Sequence, residues 1–228
     1  MLAQKAVETA VKHIVARSTK QFFGYGPAER VTIVIQGALV LFATRFSGPG
    51  ILEALPGSPF GRLAMRHIAD LFARTVAPDL AGLAGGEFGV RLRAIDGDLD
   101  FESGQSLGIA LLDQPLPPPD RPAAPAMARL LTQAVTEAAQ AAGIAPPQSA
   151  PAVRIGPGAL VLWAPDLHLP EGGDTAEAQF GALAAREAFR TRLRAGLVAA
   201  AASQGLSAGP CFVVDSETGL VAGTLLTL

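Results

Sequence analysis

Arg62, Arg66, Asp70 and Arg74 follow one another at steps of four, and Arg186, Arg190 and Arg194 repeat that step later in the chain. On a helix such spacing places the side chains along one face. A guanidinium fork suits carboxylates and bicarbonate-like anions, which it can grip with two parallel hydrogen bonds. Arg62, Arg66, Arg186 and Arg190 are therefore the candidate ligand- or anion-binding residues. The plainer reading of both stripes is a solvated face with local ion pairs, which contribute little. The two readings differ in what surrounds the side chains. A structural arginine should pair with an acid of its own half of the chain, with Glu53 and Glu177 the nearest. A functional one should face an open cleft.

Other residue types with chemical potential form no recognisable constellation, so no catalytic, cofactor-binding or metal-ligating residue is expected. Gly24-Tyr25-Gly26 superficially looks like a phosphate loop, but such a loop follows a strand and opens a helix. Here the glycines follow a helical pattern and precede a strand, as a helix end does. Asp96, Asp98 and Asp100 alternate like the start of a calcium loop, yet its twelfth position is Leu107 instead of an acid. A solvated hairpin turn is the reading of that segment. His13, His67 and His168 are scattered without metal-ligand spacing. Cys211 lies in the apolar run Pro210-Cys211-Phe212-Val213-Val214 with no base or cation beside it, as for a buried inert thiol. No Gly-x-Ser-x-Gly elbow is present.

Composition narrows the function classes. The 228 residues are half hydrophobic and carry a formal charge of −2. That balance lacks the concentrated basic surface which nucleic-acid binding requires. Lys5, Lys12 and Lys20 are the only lysines. A single cysteine excludes an internal disulfide framework and accords with a reducing, cytoplasmic setting. Polar residues interrupt the first positions too often for a signal peptide. The longest apolar stretch, Val31 to Thr44, is broken by Gln36-Gly37 and falls short of the ~20 residues a spanning helix needs. No membrane insertion is expected.

The elements that must position the arginines come in two sets. Six prolines between Pro115 and Pro125 favour extended polyproline geometry and mark residues 114–126 as a linker. Residues 1–113 and 127–228 then read as two diverged repeats. Gly37-Ala38-Leu39-Val40-Leu41-Phe42-Ala43 matches Gly158-Ala159-Leu160-Val161-Leu162-Trp163-Ala164. Phe60-Gly61-Arg62-Leu63-Ala64-Met65-Arg66 matches Phe180-Gly181-Ala182-Leu183-Ala184-Ala185-Arg186, so Arg66 and Arg186 are equivalent. Ala94-Ile95-Asp96-Gly97-Asp98 answers Val213-Val214-Asp215-Ser216-Glu217. Three matches in order point to internal duplication.

Each repeat reads as helix, strand, strand, helix, strand, strand. In the first, Ala3, Val7, Ala10, Val11, Ile14 and Phe22 form one helical stripe, stopped by Gly24 and Gly26-Pro27. Val31–Ile35 and Ala38–Thr44 make a hairpin across Gln36-Gly37. A long helix follows from about Phe60 to Leu83, with a kink or break expected at Pro78, then strands near Phe88–Ile95 and Leu107–Leu112. In the second, the helix near Pro125–Ala142 ends at Gly143. Val153–Ile155 and Ala159–Trp163 form the hairpin. Asp174 to Glu177 should make a capping box for the second long helix, whose buried stripe is Ala182, Ala185, Phe189, Leu193 and Leu197. The last hairpin turns at Ser216–Gly219. The expected fold class is α+β: a tandem duplication of this module, with mostly antiparallel four-stranded sheets each covered by helices. Small modules on a short linker should pack together with pseudo-two-fold symmetry.

Residues 5–113 resemble the MpsC-like domain family, named after a component of a bacterial sodium-translocating, membrane-potential-generating system. The carrying residues are Gly24-Tyr25-Gly26-Pro27 after an amphipathic helix, Leu52-Glu53, Gly61-Arg62, and the terminal Ile109-Ala110-Leu111-Leu112-Asp113. The chain departs from the family pattern at Ser47-Gly48-Pro49-Gly50 and at Gly85-Gly86, and the second repeat lacks Gly-x-Gly-Pro. The resemblance implies an accessory role beside a membrane ion or inorganic-carbon transport system, with peripheral contact to a membrane complex. Absent nucleophile, metal and phosphate motifs point to a non-enzymatic binding, regulatory or assembly protein with a protein partner or self-association as a dimer. The alternative is an enzyme or small-anion-binding protein using a cleft between the repeats.

Overall fold

The computed structural model describes residues 2–23, 31–36, 38–45, 57–87, 89–100, 105–114, 121–122, 124–155, 158–216 and 219–227. The chain divides into two compact units, Met1–Pro119 and Asp120–Leu228. Unit 1 contains α1 (Leu2–Phe23), β1 (Thr32–Gln36), β2 (Leu39–Arg45), α2 (Pro59–Glu87), β3 (Leu92–Asp100) and β4 (Gln105–Leu112). Unit 2 contains β5 (Arg121–Pro122), α3 (Pro125–Ala141), β6 (Ala152–Ile155), β7 (Ala159–Ala164), α4 (Ala176–Ala202), β8 (Ser207–Ser216) and β9 (Gly219–Thr227). The fold is α+β. Both sheets are antiparallel, ordered β1-β2-β4-β3 and β5-β6-β7-β9-β8. Two residues of the expected linker form β5, and Pro125 opens α3 at its first turn, where a missing amide donor is harmless.

In each unit two helices bury one sheet face. Val7, Val11 and Val15 of α1 join Val40 and Phe42 of β2 and Val76 and Leu80 of α2 in one core. Met127, Leu131 and Val135 of α3 join Leu160 and Leu162 of β7 and Phe189, Leu193 and Leu197 of α4 in the other. A shift of 120 carries the first helix and β2 positions onto the second without a gap, from Val7 and Met127 to Phe42 and Leu162. The same shift relates buried Ala69, Ala73 and Leu80 of α2 to Phe189, Leu193 and Ala200 of α4. Cross-strand register extends the comparison: Phe42, Gly108 and Gly97 stand in line in unit 1, as Leu162, Ala222 and Val213 do in unit 2.

That register corrects two sequence matches. The seven-residue match at Gly37 and Gly158 sets Phe42 against Trp163. Phe42 is in the core, whereas Trp163 lies between core-facing Leu162 and Ala164 and points the other way, 40% exposed. One residue of slip exchanges the faces of a strand. The strands are apolar on both faces, so composition alone aligned them one residue out of step. Likewise Asp215 stands level with Leu99, two places beyond Val213 and Gly97, and not with Asp96.

Three other expectations shift. Residues 96–100 are not a solvated turn: β3 runs through them to Asp100, and Asp98 is fully buried. α2 continues unbroken through Pro78. Pro78 and Arg74 are both exposed, so water can serve the carbonyl that loses its intrahelical donor. Ser58 caps this helix, accepting from the Gly61 amide at 3.0 Å, with Pro59 at the first position. On α4 the cap is Thr175, which accepts from the Ala178 amide at 3.2 Å, one residue later than the expected box at Asp174. Gly24–Pro27, Leu52 and Glu53 lie outside the described residues.

The two cores carry side chains of different size at matching places. Val7, Val11, Val40, Leu80, Ala110 and Leu112 line a small apolar cavity of about 20 Å³ in unit 1. The places of the first three are taken in unit 2 by the larger Met127, Leu131 and Leu160. Gly196 of α4 lies against the Ala134 methyl where any side chain would collide, so the helices of unit 2 meet through small residues. Ser18 is fully buried and its hydroxyl has no hydrogen-bond partner. The place 120 residues on is buried Ala138. Ser18→Ala should therefore raise stability by about 1 kcal/mol, because an unsatisfied buried hydroxyl is removed without loss of a bond. Urea denaturation of the two proteins measures this; an equal or lower midpoint for the variant contradicts it.

Candidate functional site

The arginines of the two long helices reach the edge strand of their own sheet. In unit 1 the approach is set by Gly97 of β3. A Cβ there would stand 3.0 Å from the Ala69 carbonyl oxygen and 3.6 Å from the Ala73 methyl, so glycine lets α2 lie close on the strand. Arg66, almost one turn before Ala69, is thereby brought onto the acids of β3. Its Nη1 donates to Asp98 Oδ1 at 2.6 Å. Asp70 Oδ1 lies 3.6 Å from Nε and Asp96 Oδ2 lies 4.0 Å from Nη2. The Asp98 side chain is fully buried and that of Arg66 is 12% exposed. A charge so buried requires an opposite charge in hydrogen-bonding contact. The Arg66 guanidinium thus has three carboxylates within 4.0 Å.

Unit 2 makes the corresponding tie differently. Arg186 Nη1 donates to the Val213 carbonyl oxygen at 2.6 Å, and Val213 is level with Gly97 in the register above. Both equivalent arginines thus fasten the first half of a long helix to the outer strand. Arg190 is 5% exposed overall, with Glu187 Oε1 3.4 Å away. Arg62 and Arg194 are exposed on the outer side of their helices and engaged in polar interactions. The structure brings Arg66 together with Asp70 of its own stripe and separates it from exposed Arg62. The acids that meet it are Asp98 and Asp96. Glu53 lies outside the described residues, and Glu177 is exposed near the start of α4.

A second cluster was not visible in the spacing of the residues. The segment after β7 alternates inward Leu167 and Leu169, both buried in the core of unit 2, with outward Asp166 and His168. His168 Nδ1 lies 2.9 Å from Asp215 Oδ1, and the Leu169 amide donates to Asp215 Oδ2 at 2.6 Å. The side chain of His168 is 53% exposed and that of Asp215 16%. A carboxylate accepting at Nδ1 favours the tautomer with the proton there, which turns the Nε2 lone pair toward solvent-exposed space. The partners are 47 residues apart. Asp215 directly precedes the expected turn at Ser216–Gly219, and the β8–β9 register places it against the loop.

Asp166 fixes the other end of that loop. Its Oδ2 accepts from the Gln148 amide at 2.8 Å, the Ser149 amide at 2.8 Å and the Ser149 hydroxyl at 3.2 Å. Desolvation draws its pKa upward, but the Ser149, Asp166 and Gln148 amides and the Ser149 hydroxyl outweigh it and hold the carboxyl below 3.8. Elsewhere the helix pairs are joined at their surfaces with the charges exchanged. Arg17 of α1 meets Asp79 of α2 at 2.5 Å, and Glu137 of α3 meets Arg192 of α4 at 2.6 Å. The Gln133 amide and then the Arg192 charge hold Glu137 below its ordinary value. Arg17 and Glu137 occupy equivalent places at the shift of 120.

Among the described residues no group of three or more His, Cys, Asp or Glu side chains could hold a metal ion, and no helix is long and apolar enough to cross a membrane. Cys211 is buried in the core of unit 2. No family model, curated protein or solved structure matches the chain.

Arg66→Gln should destabilise the protein by about 3–5 kcal/mol, the usual consequence of stranding a buried carboxylate. Adding Asp98→Asn should recover part of the loss. Urea denaturation of both variants tests this; equal stability of Arg66→Gln and the parent would contradict the tie. For Asp166, the depressed pKa means that its contribution is present above the ordinary value and is lost as pH falls through the lower folded value. The Gln148 and Ser149 amides should lose hydrogen-exchange protection in that acid range, and already at neutral pH in Asp166→Asn. Unchanged protection in Asp166→Asn contradicts this.

Proposed function

We propose that this is a non-enzymatic binding or assembly protein, built by internal duplication of one α+β module, that serves as an accessory component beside a membrane ion or inorganic-carbon transport system. The observation that carries the non-enzymatic part is the placement of Arg66. The residue best suited to grip an anion is turned inward onto Asp98, with Asp96 and Asp70 beside it. Surrounding carboxylates repel bicarbonate and other small anions. The constant shift of 120 between the two buried patterns supports duplication. The transport setting rests on the resemblance of residues 5–113 to the MpsC-like family. In this reading Arg62 and Arg190 belong to the flanks of the same helix-to-strand ties.

One observation favours a second reading, an enzyme acting through unit 2. His168 is oriented by Asp215 and remains half exposed, as a general base must be. Both readings are tested together. Bicarbonate and acetate titrated calorimetrically into the wild type should give no binding heat. Binding that disappears in folded Arg186→Gln would replace the first reading with an anion-binding one. Hydrolysis of an activated aryl ester should be equal for wild type and His168→Asn. A rate lost on that substitution, with an unchanged circular-dichroism spectrum, would favour the enzyme.

A further inference from the structure

We propose that β1 is the interface between two copies of this chain, paired antiparallel around a two-fold axis through Val34. The inference gives the assembly reading a specific partner and rests on it only in that respect. β1 is an edge strand of the first sheet, bonded to β2 on one side. Among the described residues no strand pairs with its other side. Natural edge strands are guarded by charge, proline, a bulge or a covering segment, because an unguarded edge recruits another strand. Thr32-Ile33-Val34-Ile35-Gln36 has no charge, no proline and no glycine, and its pairing with β2 runs through all five residues without a bulge.

The second unit shows what a guarded version of the same edge looks like. At the shift of 120, β1 corresponds to β6. There the outer side is covered by β5, with Arg121 opposite Ile155 and Pro122 opposite Arg154. The place of Val34 is taken by Arg154. Unit 2 therefore carries three protections, a covering strand, a proline within that strand and a central arginine, and none of them is found on β1 among the described residues. The contrast also shows that this edge of the module accepts an antiparallel strand.

The pattern of β1 selects the occupant. Read from either end it is polar, Ile, Val, Ile, polar. Antiparallel pairing about Val34 sets Thr32 opposite Gln36, Ile33 opposite Ile35 and Val34 opposite its own copy. Residues directly opposite share a face, and β-branched pairs are favourable there. Ile33 and Ile35, half-buried against the helix-covered core, would meet the same pair from the other copy and extend that core across the axis. Such an isologous contact closes on itself and yields a dimer with one continuous sheet of eight strands from the two first units.

The test is sedimentation of the full chain across its accessible concentration range, with two variants. The wild type should sediment at twice the 23.4 kDa chain mass. Val34→Arg, which installs the residue found at the equivalent place of β6, should sediment as a monomer. Because that variant could also disturb folding, Val34→Cys supplies a second readout. The substituted residue faces its own copy across the axis, so mild oxidation should give a covalent dimer. Thr32→Cys faces Gln36 and should link far more slowly, and wild-type Cys211 is buried. A wild type that is monomeric throughout overturns the proposal. So does a Val34→Arg dimer, or equal crosslinking at Thr32→Cys and Val34→Cys. A monomer that still shows no anion binding would leave the non-enzymatic reading standing and remove only the self-pairing.

Discussion

A sheet that buries one face beneath two helices has no freedom of register, because side chains alternate sides along every strand. Val40 and Phe42 in one unit, and Leu160 and Leu162 in the other, are fixed by this requirement. Their neighbours across the sheet inherit the same parity. Gly108 must be glycine-sized because the Phe42 ring occupies the space a side chain would need. Gly97 follows in line and lets the long helix settle on the outer strand. The reach of the arginines is a consequence of that settling and not an independent feature of the helix surface.

Two solutions to one packing problem are then visible. A long helix lying on an edge strand must be held at its first half, where few apolar side chains meet. In unit 1 Arg66 meets a buried carboxylate of the strand. In unit 2 Arg186 meets a backbone carbonyl of the strand. The ionic version costs more desolvation and is exposed to greater loss if one partner is removed. Both units place the tie at the same point of the long helix, with a carboxylate as acceptor in one and a carbonyl in the other.

The units differ inside their cores as well as at the sheet edge and on one loop. Among the described residues unit 1 has a cavity, a buried hydroxyl without a partner and a β1 edge with no strand paired to its outer side. Unit 2 is filled by larger side chains, has its edge covered by β5 and carries the His168–Asp215 pair on a loop held by Asp166. Polar pairs on loops anchored by buried leucines combine exposure with fixed geometry.

The sequence alone determined the element types and their order. Helical stripes such as Val7, Val11 and Ile14, β-branched runs such as Val31–Ile35, and the proline cluster are local signals, set by periodicity and backbone sterics. They gave the α+β class, the two sheets and the general place of each helix. The tertiary structure decided which face of β2 is inside, since Leu39–Ala43 is apolar on both sides and no local signal distinguishes them. It decided that Asp98 is a strand residue, because Arg66, folded onto it from 32 residues away, helps to make a buried carboxylate tolerable. It decided that His168 has a partner, since Asp215 arrives through the pairing of β8 with β9. Periodicity reports how a residue sits on its own element, whereas a charge's partner is fixed by where two distant elements meet.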